Sequence, residues 1–141
     1  MFIKQISVFA ENKAGAASDI LDILSANDIN IRALSIADTT EYGIMRLITE
    51  DVEKAKQVLQ GQGILVKISN VLAVPIGDRP GGLAHVLKIF KDGQISVDYM
   101  YAFVGRNDAG AVVVVKTDDG EKAGALLKQN GIEPLCSSAL F

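Results

Sequence analysis

From Ile3 to Phe9 apolar and polar side chains alternate, with Ile6 and Val8 flanking Ser7, which is the period of a half-buried strand. The stretch Glu11–Gly15 reads as a turn. After it, Ala17, Ile20, Leu21 and Leu24 fall on one face of a helix that Asn27-Asp28 ends. Ile29–Ala37 returns to strand periodicity, a turn follows at Asp38–Tyr42, and Ile44–Thr49 forms the antiparallel return. A second helix, Val52–Gln60, buries Ala55, Val58 and Leu59, with Gly63 just beyond its end as a stop signal. Ile64–Ser69 is a fourth strand. The same order then recurs as Asn70–Ile76, Gly82–Phe90, Ile95–Val104, Ala111–Lys116, Glu121–Gln129 and Ile132–Leu140.

The recurrence extends to single residues. Glu11–Leu34 aligns without a gap on Gly77–Met100, a shift of 66 residues: Gly15 meets Gly81, Ile20 meets Val86, Leu24 meets Phe90 and Ile31 meets Val97. After short insertions Tyr42-Gly43-Ile44 meets Ala109-Gly110-Ala111, Glu53-Lys54-Ala55 meets Glu121-Lys122-Ala123, and Gly63-Ile64 meets Gly131-Ile132. Several segments in one order point to a duplicated unit, which two chance amphipathic helices would not produce.

A βαββαβ order in about 70 residues admits few topologies. The expected class is α+β: two ferredoxin-like modules in tandem, residues 1–69 and 70–141, each a four-stranded antiparallel sheet with two helices on one face. One such module leaves the other sheet face bare and is marginal alone, so docking of copies is expected. Ala111–Val115 is apolar throughout, and Tyr99, Tyr101 and Phe103 alternate with Met100, Ala102 and Val104, so both strands read as covered on two sides. Ile64–Ile76 is nearly continuous strand, which leaves no flexible linker between modules.

Composition narrows the function. Apolar residues are 49% and charged residues 22% of the chain, the balance of a globular protein. A net charge of −3 without a basic stripe argues against tracking a nucleic-acid backbone. No apolar run reaches the ~18–20 residues of a membrane span, no signal peptide is read at the N-terminus, and the single Cys136 imposes no disulfide, so the cytoplasm is the expected compartment. His85 is placed opposite the Leu83/Val86/Leu87/Phe90 face, hence in solvent, and Cys136 is placed in the core of the last strand. No metal-ligand spacing, nucleotide loop or nucleophile–base set is present, so no cofactor, no metal and no enzymatic activity are expected.

The most informative local feature joins the first strand of each copy to its first helix. In the second copy it reads Asp78-Arg79-Pro80-Gly81-Gly82-Leu83: Asp78 is placed to cap the helix, Pro80 fits a first turn, and the two glycines bare the backbone. Amides there, at the positive end of a helix, suit a carboxylate. A tight turn without a ligand is the alternative.

Asp78-Arg79-Pro80-Gly81-Gly82-Leu83-Ala84 resembles the D-x-P-G-x-L-A signature of ACT domains, and Asp28-Ile29-Asn30-Ile31 and Gln94-Ile95-Ser96-Val97 resemble the strand that follows it. The resemblance covers residues 3–140. It implies a regulatory protein that binds a small molecule, commonly an amino acid, where modules meet. Carried over by position, the binding residues are Asn12, Ala14 and Gly15 in the first copy and Asp78, Pro80, Gly81, Gly82 and Leu83 in the second. The first copy departs from the signature, with Asn12 for the Asp and Ala14 for the Pro. Second-strand candidates are Ser35, Asp38, Tyr99 and Tyr101, with simple packing as the alternative for the tyrosines; Arg46 is a carboxylate partner or an ordinary edge charge. Expected partners are a small-molecule ligand, a second copy in a homodimer and a separate regulated enzyme, with no nucleic acid and no membrane. A structural or protein-interaction module without a ligand is the second reading, and a small enzyme on the same scaffold the third.

Overall fold

The computed structural model describes residues 1–38, 42–104 and 110–141. Thr39–Glu41 of the expected turn, and Ala109 of the repeat alignment, lie outside the described residues, as does the side chain of Asp38. The elements run β1 (Ile3–Glu11), α1 (Ala16–Ala26), β2 (Ile31–Asp38), β3 (Tyr42–Thr49), α2 (Val52–Gly61), β4 (Val66–Ile76), α3 (Gly82–Asp92), β5 (Val97–Val104), β6 (Ala111–Thr117), α4 (Gly120–Gln129) and α5 (Ser137–Leu140). No described helix is long and apolar enough to cross a membrane.

Two compact units result, Lys4–Ser69 and Asn70–Phe141 with Met1–Ile3. In the first, β3 lies between β1 and β2, with Ile6 opposite Leu47 and Leu34 opposite the same Leu47. Ile6, Val8, Met45 and Leu47 meet Ile20 and Leu24 of α1 and Ala55 and Leu59 of α2 in one core. In the second, β6 lies between β4 and β5, and Leu72, Val74, Val113 and Val115 meet Val86, Ile89 and Phe90 of α3 and Ala123 and Leu127 of α4. The helical spacing read from sequence is thus the spacing that fills each core.

The strand order is β2-β3-β1-β4-β6-β5, a six-stranded sheet instead of two sheets of four. Two changes account for the difference. Ile64–Ser69 and Asn70–Ile76, expected as consecutive strands, form the single strand β4. The expected last strand, Ile132–Leu140, is a loop followed by the short helix α5. Pro134, buried in that segment, has no N–H to give a ladder. Leu135 N–H still donates to Ala73 O (2.8 Å). Cys136 accordingly sits exposed at the start of α5, not in a core. Its Sγ lies 3.0 Å from the Ser138 hydroxyl, and that hydrogen bond holds the thiol below its ordinary pKa.

Val112, Val113, Val114 and Val115 are all buried, as their unbroken apolar run requires. In β5 the chain by itself covers one face only. Tyr99, Tyr101 and Phe103 are half-buried, whereas Met100 and Val104 are 39% and 80% exposed.

Candidate functional site

Helix N-termini leave amides without intrahelical partners, and the four long helices treat them in two ways. At α2 and α4 an aspartate closes the end: Asp51 Oδ1 accepts from Lys54 N–H and Asp119 Oδ1 from Lys122 N–H, both at 3.0 Å. At α1 and α3 the cap residues are Gly15 and Gly81, and no side chain caps either helix. Asp78 therefore does not cap α3, nor Asn12 α1. Each lies three residues before a glycine whose positive φ, 85° at Gly81 and 86° at Gly15, turns the chain into the helix.

The two loops are built alike. Arg79 N–H donates to Gly77 O (2.9 Å), Gly82 N–H to Arg79 O (3.1 Å) and His85 N–H to Gly81 O (2.9 Å). In the first copy Lys13 N–H donates to Glu11 O (2.9 Å), Ala16 N–H to Lys13 O (3.3 Å) and Asp19 N–H to Gly15 O (2.9 Å). These pairs keep the shift of 66 residues found in sequence. The first-turn amides of Leu83 and Ala84 precede the first i to i−4 bond of α3 and face no capping side chain.

A hollow of about 420 Å³ surrounds the second loop, lined by Ile76–Ala84 and Ala111. That is within the ~300–1,000 Å³ range of small-molecule clefts. Asp78, Pro80, Gly81, Gly82 and Leu83 are brought together there, and Arg79 adds a guanidinium that sequence reasoning left out of the site. Its position beside the expected Asp78 was the available signal. Tyr101 is elsewhere: it is half-buried on β5, opposite Val114.

In the first copy the nearest hollow, about 360 Å³, is lined by Phe9–Glu11, Lys13, Ala16, Asp19, Ile20, Tyr42 and Gly63–Leu65. Asn12, Ala14 and Gly15 are exposed and do not line it. Phe9, Tyr42 and Leu65 stand 36%, 55% and 68% exposed around it, so this hollow is more apolar than its counterpart. Glu11 and Lys13 pair across the loop at 3.3 Å. Ser35 lies on β2 opposite Arg46, which is opposite Ser7 on β1, so these polar residues form a row across three strands. His85 is exposed, and no cluster of metal-binding side chains exists among the described residues.

Comparison with known proteins now becomes decisive, because the ACT domain pair family matches residues 1–139. The chain belongs to that family. A protein of Bacteroides thetaiotaomicron, BT0572, shares this ACT pair's fold at a TM-score of 0.91, with 34% identity over 99% of this chain and 96% of that one. The regulatory subunits of aspartate kinase from Thermus thermophilus and Thermus flavus align at TM-scores of 0.62 and 0.60, each over 89% of this chain and 90% of theirs. At 13% and 12% identity those two show the fold that this ACT pair shares with them. No curated protein matches the sequence.

Proposed function

We propose that this ACT pair is a regulatory sensor that binds a small molecule, an amino acid, through the strand-to-helix loops of its two duplicated modules, 1–69 and 70–141. One contrast carries the reading: α2 and α4 are closed by aspartates, whereas α1 and α3 begin on glycine with their first amides open. Open amides at a positive helix end favour a carboxylate. Asp78, beside them in the second loop, offers an anion for an ammonium group, and Arg79 a second donor set for the acid. Asn12, Ala14 and Gly15 are the counterparts in the first loop, and Ser35 and Tyr101 act from the second strands where modules of different copies meet.

No catalytic set accompanies these loops among the described residues, and the protein acts on a separate enzyme or on its own assembly. The aspartate kinase regulatory subunits with this fold make a regulated enzyme the leading partner class. A homodimer is supported by exposed apolar side chains on the two outermost strands, Leu34 and Ile36 on β2 and Met100 and Val104 on β5. The same side chains support the second reading, a protein-interaction module whose loops bind nothing.

Thermal unfolding in the presence of each of the twenty amino acids at ~10 mM separates the two. A ligand with a Kd near 1 mM raises stability by more than about 1 kcal/mol under these conditions. Asp78→Lys, an exposed substitution, removes that shift while leaving the melting point without ligand within a degree or two. If no amino acid stabilises the protein, or the shift survives both Asp78→Lys and Asn12→Lys, the sensor reading fails and the interaction module stands.

A further inference from the structure

Single exposed apolar side chains are ordinary on a protein surface, whereas several gathered at one place mark a contact site. Among the described residues eight large apolar side chains are exposed, and three of them, Phe9, Tyr42 and Leu65, line a single hollow of about 360 Å³ inside the first unit. Strand register brings them together. Tyr42 lies opposite Glu11, which shares a face of β1 with Phe9, and Phe9 N–H donates to Leu65 O (3.1 Å).

The fold does not ask for these three side chains. Where the first copy has Phe9, Tyr42 and Leu65, the duplication places Pro75, Ala109 and Glu133. Glu133 is exposed and pairs with Lys128 (3.6 Å), as a solvated surface does. The second unit thus pairs its strands and fills its core with no aromatic or long aliphatic chain at these places. What the first copy carries there is surplus to folding.

The charges around the hollow select its occupant. Glu11, Lys13 and Asp19 line it. Lys13 Nζ is already held by Glu11 at 3.3 Å, and Asp19 has no partner among the described residues. Two carboxylates against one engaged ammonium leave a negative excess, and the aromatic faces of Phe9 and Tyr42 add to the attraction for a cation. The open amides of α1, on Ala17 and Ser18, do not line the hollow and do not offset it. The geometry points to a site in the first unit for a small apolar cation, an aryl or branched alkyl amine. Its body lies against Phe9, Tyr42 and Leu65, and its ammonium meets Asp19 and Glu11. This site uses none of Asn12, Ala14 and Gly15, so it stands apart from the amino-acid reading.

Nitrogen-15 NMR titration of the full chain tests it with four probes. 2-Phenylethylamine is expected to shift the amides of Phe9–Glu11 and Ile64–Leu65, with a Kd at or below ~1 mM. 2-Phenylethanol, which keeps the body without the charge, and methylammonium, which keeps the charge without the body, should each bind at least ~10-fold more weakly, the scale of one charge-assisted contact or one buried ring. Asp19→Asn and Leu65→Ser, both at exposed positions, should each weaken 2-phenylethylamine by a similar factor. If either variant alters the spectrum beyond the hollow, the probe series on the unaltered chain decides. Absence of shifts at ~10 mM, shifts centred elsewhere, equal binding of the alcohol, or affinity untouched by both substitutions overturns the inference. So does binding of L-phenylalanine there without binding of 2-phenylethylamine, since the hollow would then require a carboxylate.

Discussion

Gly81 and Gly82 are neighbours that require glycine for different reasons. Gly81 has open space where a Cβ would go but a φ of 85°, so Gly81→Ala is expected to cost the ~1–2 kcal/mol of left-handed backbone strain. Gly82 has an ordinary helical backbone, and its Cβ would run into the Gly77 carbonyl oxygen, a main-chain atom with nowhere to swing. Overpacking of this kind costs ~1–3 kcal/mol, and relief comes only by moving the loop. Gly82→Ala is therefore expected to destabilise the protein in urea unfolding and to abolish the amino-acid thermal shift as well. The first copy has Ala16 in this place and a longer closing bond, 3.3 Å against 3.1 Å. Accordingly, Ala16→Gly should change stability by less than about 1 kcal/mol. Wild-type stability and ligand response in Gly82→Ala would refute this account of the loop. At this scale the sequence was only partly legible. The glycine pair was visible, but Asp78 looked like a cap, because an acidic residue before a helix has the same signature whether its carboxylate bonds the first turn or points away.

At the level of elements, the ends of the four long helices explain both what could be read and what could not. Each closes on a residue in the left-handed region: Asp28, Gly63, Gln94 and Gly131. Ile29, Ile64, Ile95 and Ile132 then donate back to Leu24, Leu59, Phe90 and Leu127, a shared stop. Gly63 and the pair Asn27-Asp28 announce that stop in sequence, whereas Gln94 hides it. In α3 the glycine sits one place early, at Gly93, since a Cβ there would strike Leu126 Cδ1. Asp28→Gly and Gln94→Gly should each stabilise the protein by about 0.5–1 kcal/mol, the strain relieved less the chain entropy that glycine adds. Denaturant midpoints that fall in both variants would contradict this. Helices were legible because a 3.6-residue apolar period has one physical solution in a core of this kind. The last segment was not, because Ile132, Leu135 and Leu140 suit a strand in composition while Pro134 withholds the donor a ladder needs.

For the whole molecule, duplication was legible from aligned glycines and apolar positions, and the number of strands was not. Reading each copy by itself assigns eight, and six form among the described residues, because the two middle ones are a single strand and the last is a loop followed by α5. Periodicity showed only part of that merger: Ile64–Ile76 reads as nearly continuous strand interrupted at the polar pair Ser69-Asn70, and both residues continue the extended backbone. The outermost strands bear on assembly. β5 has no charged residue from Tyr99 to Val104, and uncharged, exposed outer strands invite pairing. Sedimentation is expected to show a dimer that Val104→Lys and Ile36→Lys together dissociate at least tenfold; a monomer at high micromolar concentration would remove the proposed dimer.

The fused strand also limits how such a protein can change over generations. A gene for two beads on a string can lose, swap or borrow a bead by recombination in the string. Here the seam at Ser69–Asn70 runs through β4, and Met1–Ile3 belong to the unit formed by the distal half. A crossover at the duplication boundary would therefore hand each descendant a fragment lacking part of its own frame. Divergence of the two loops by point substitution, as Asn12 against Asp78 and Ala14 against Pro80 already display, is the route that such an architecture leaves open.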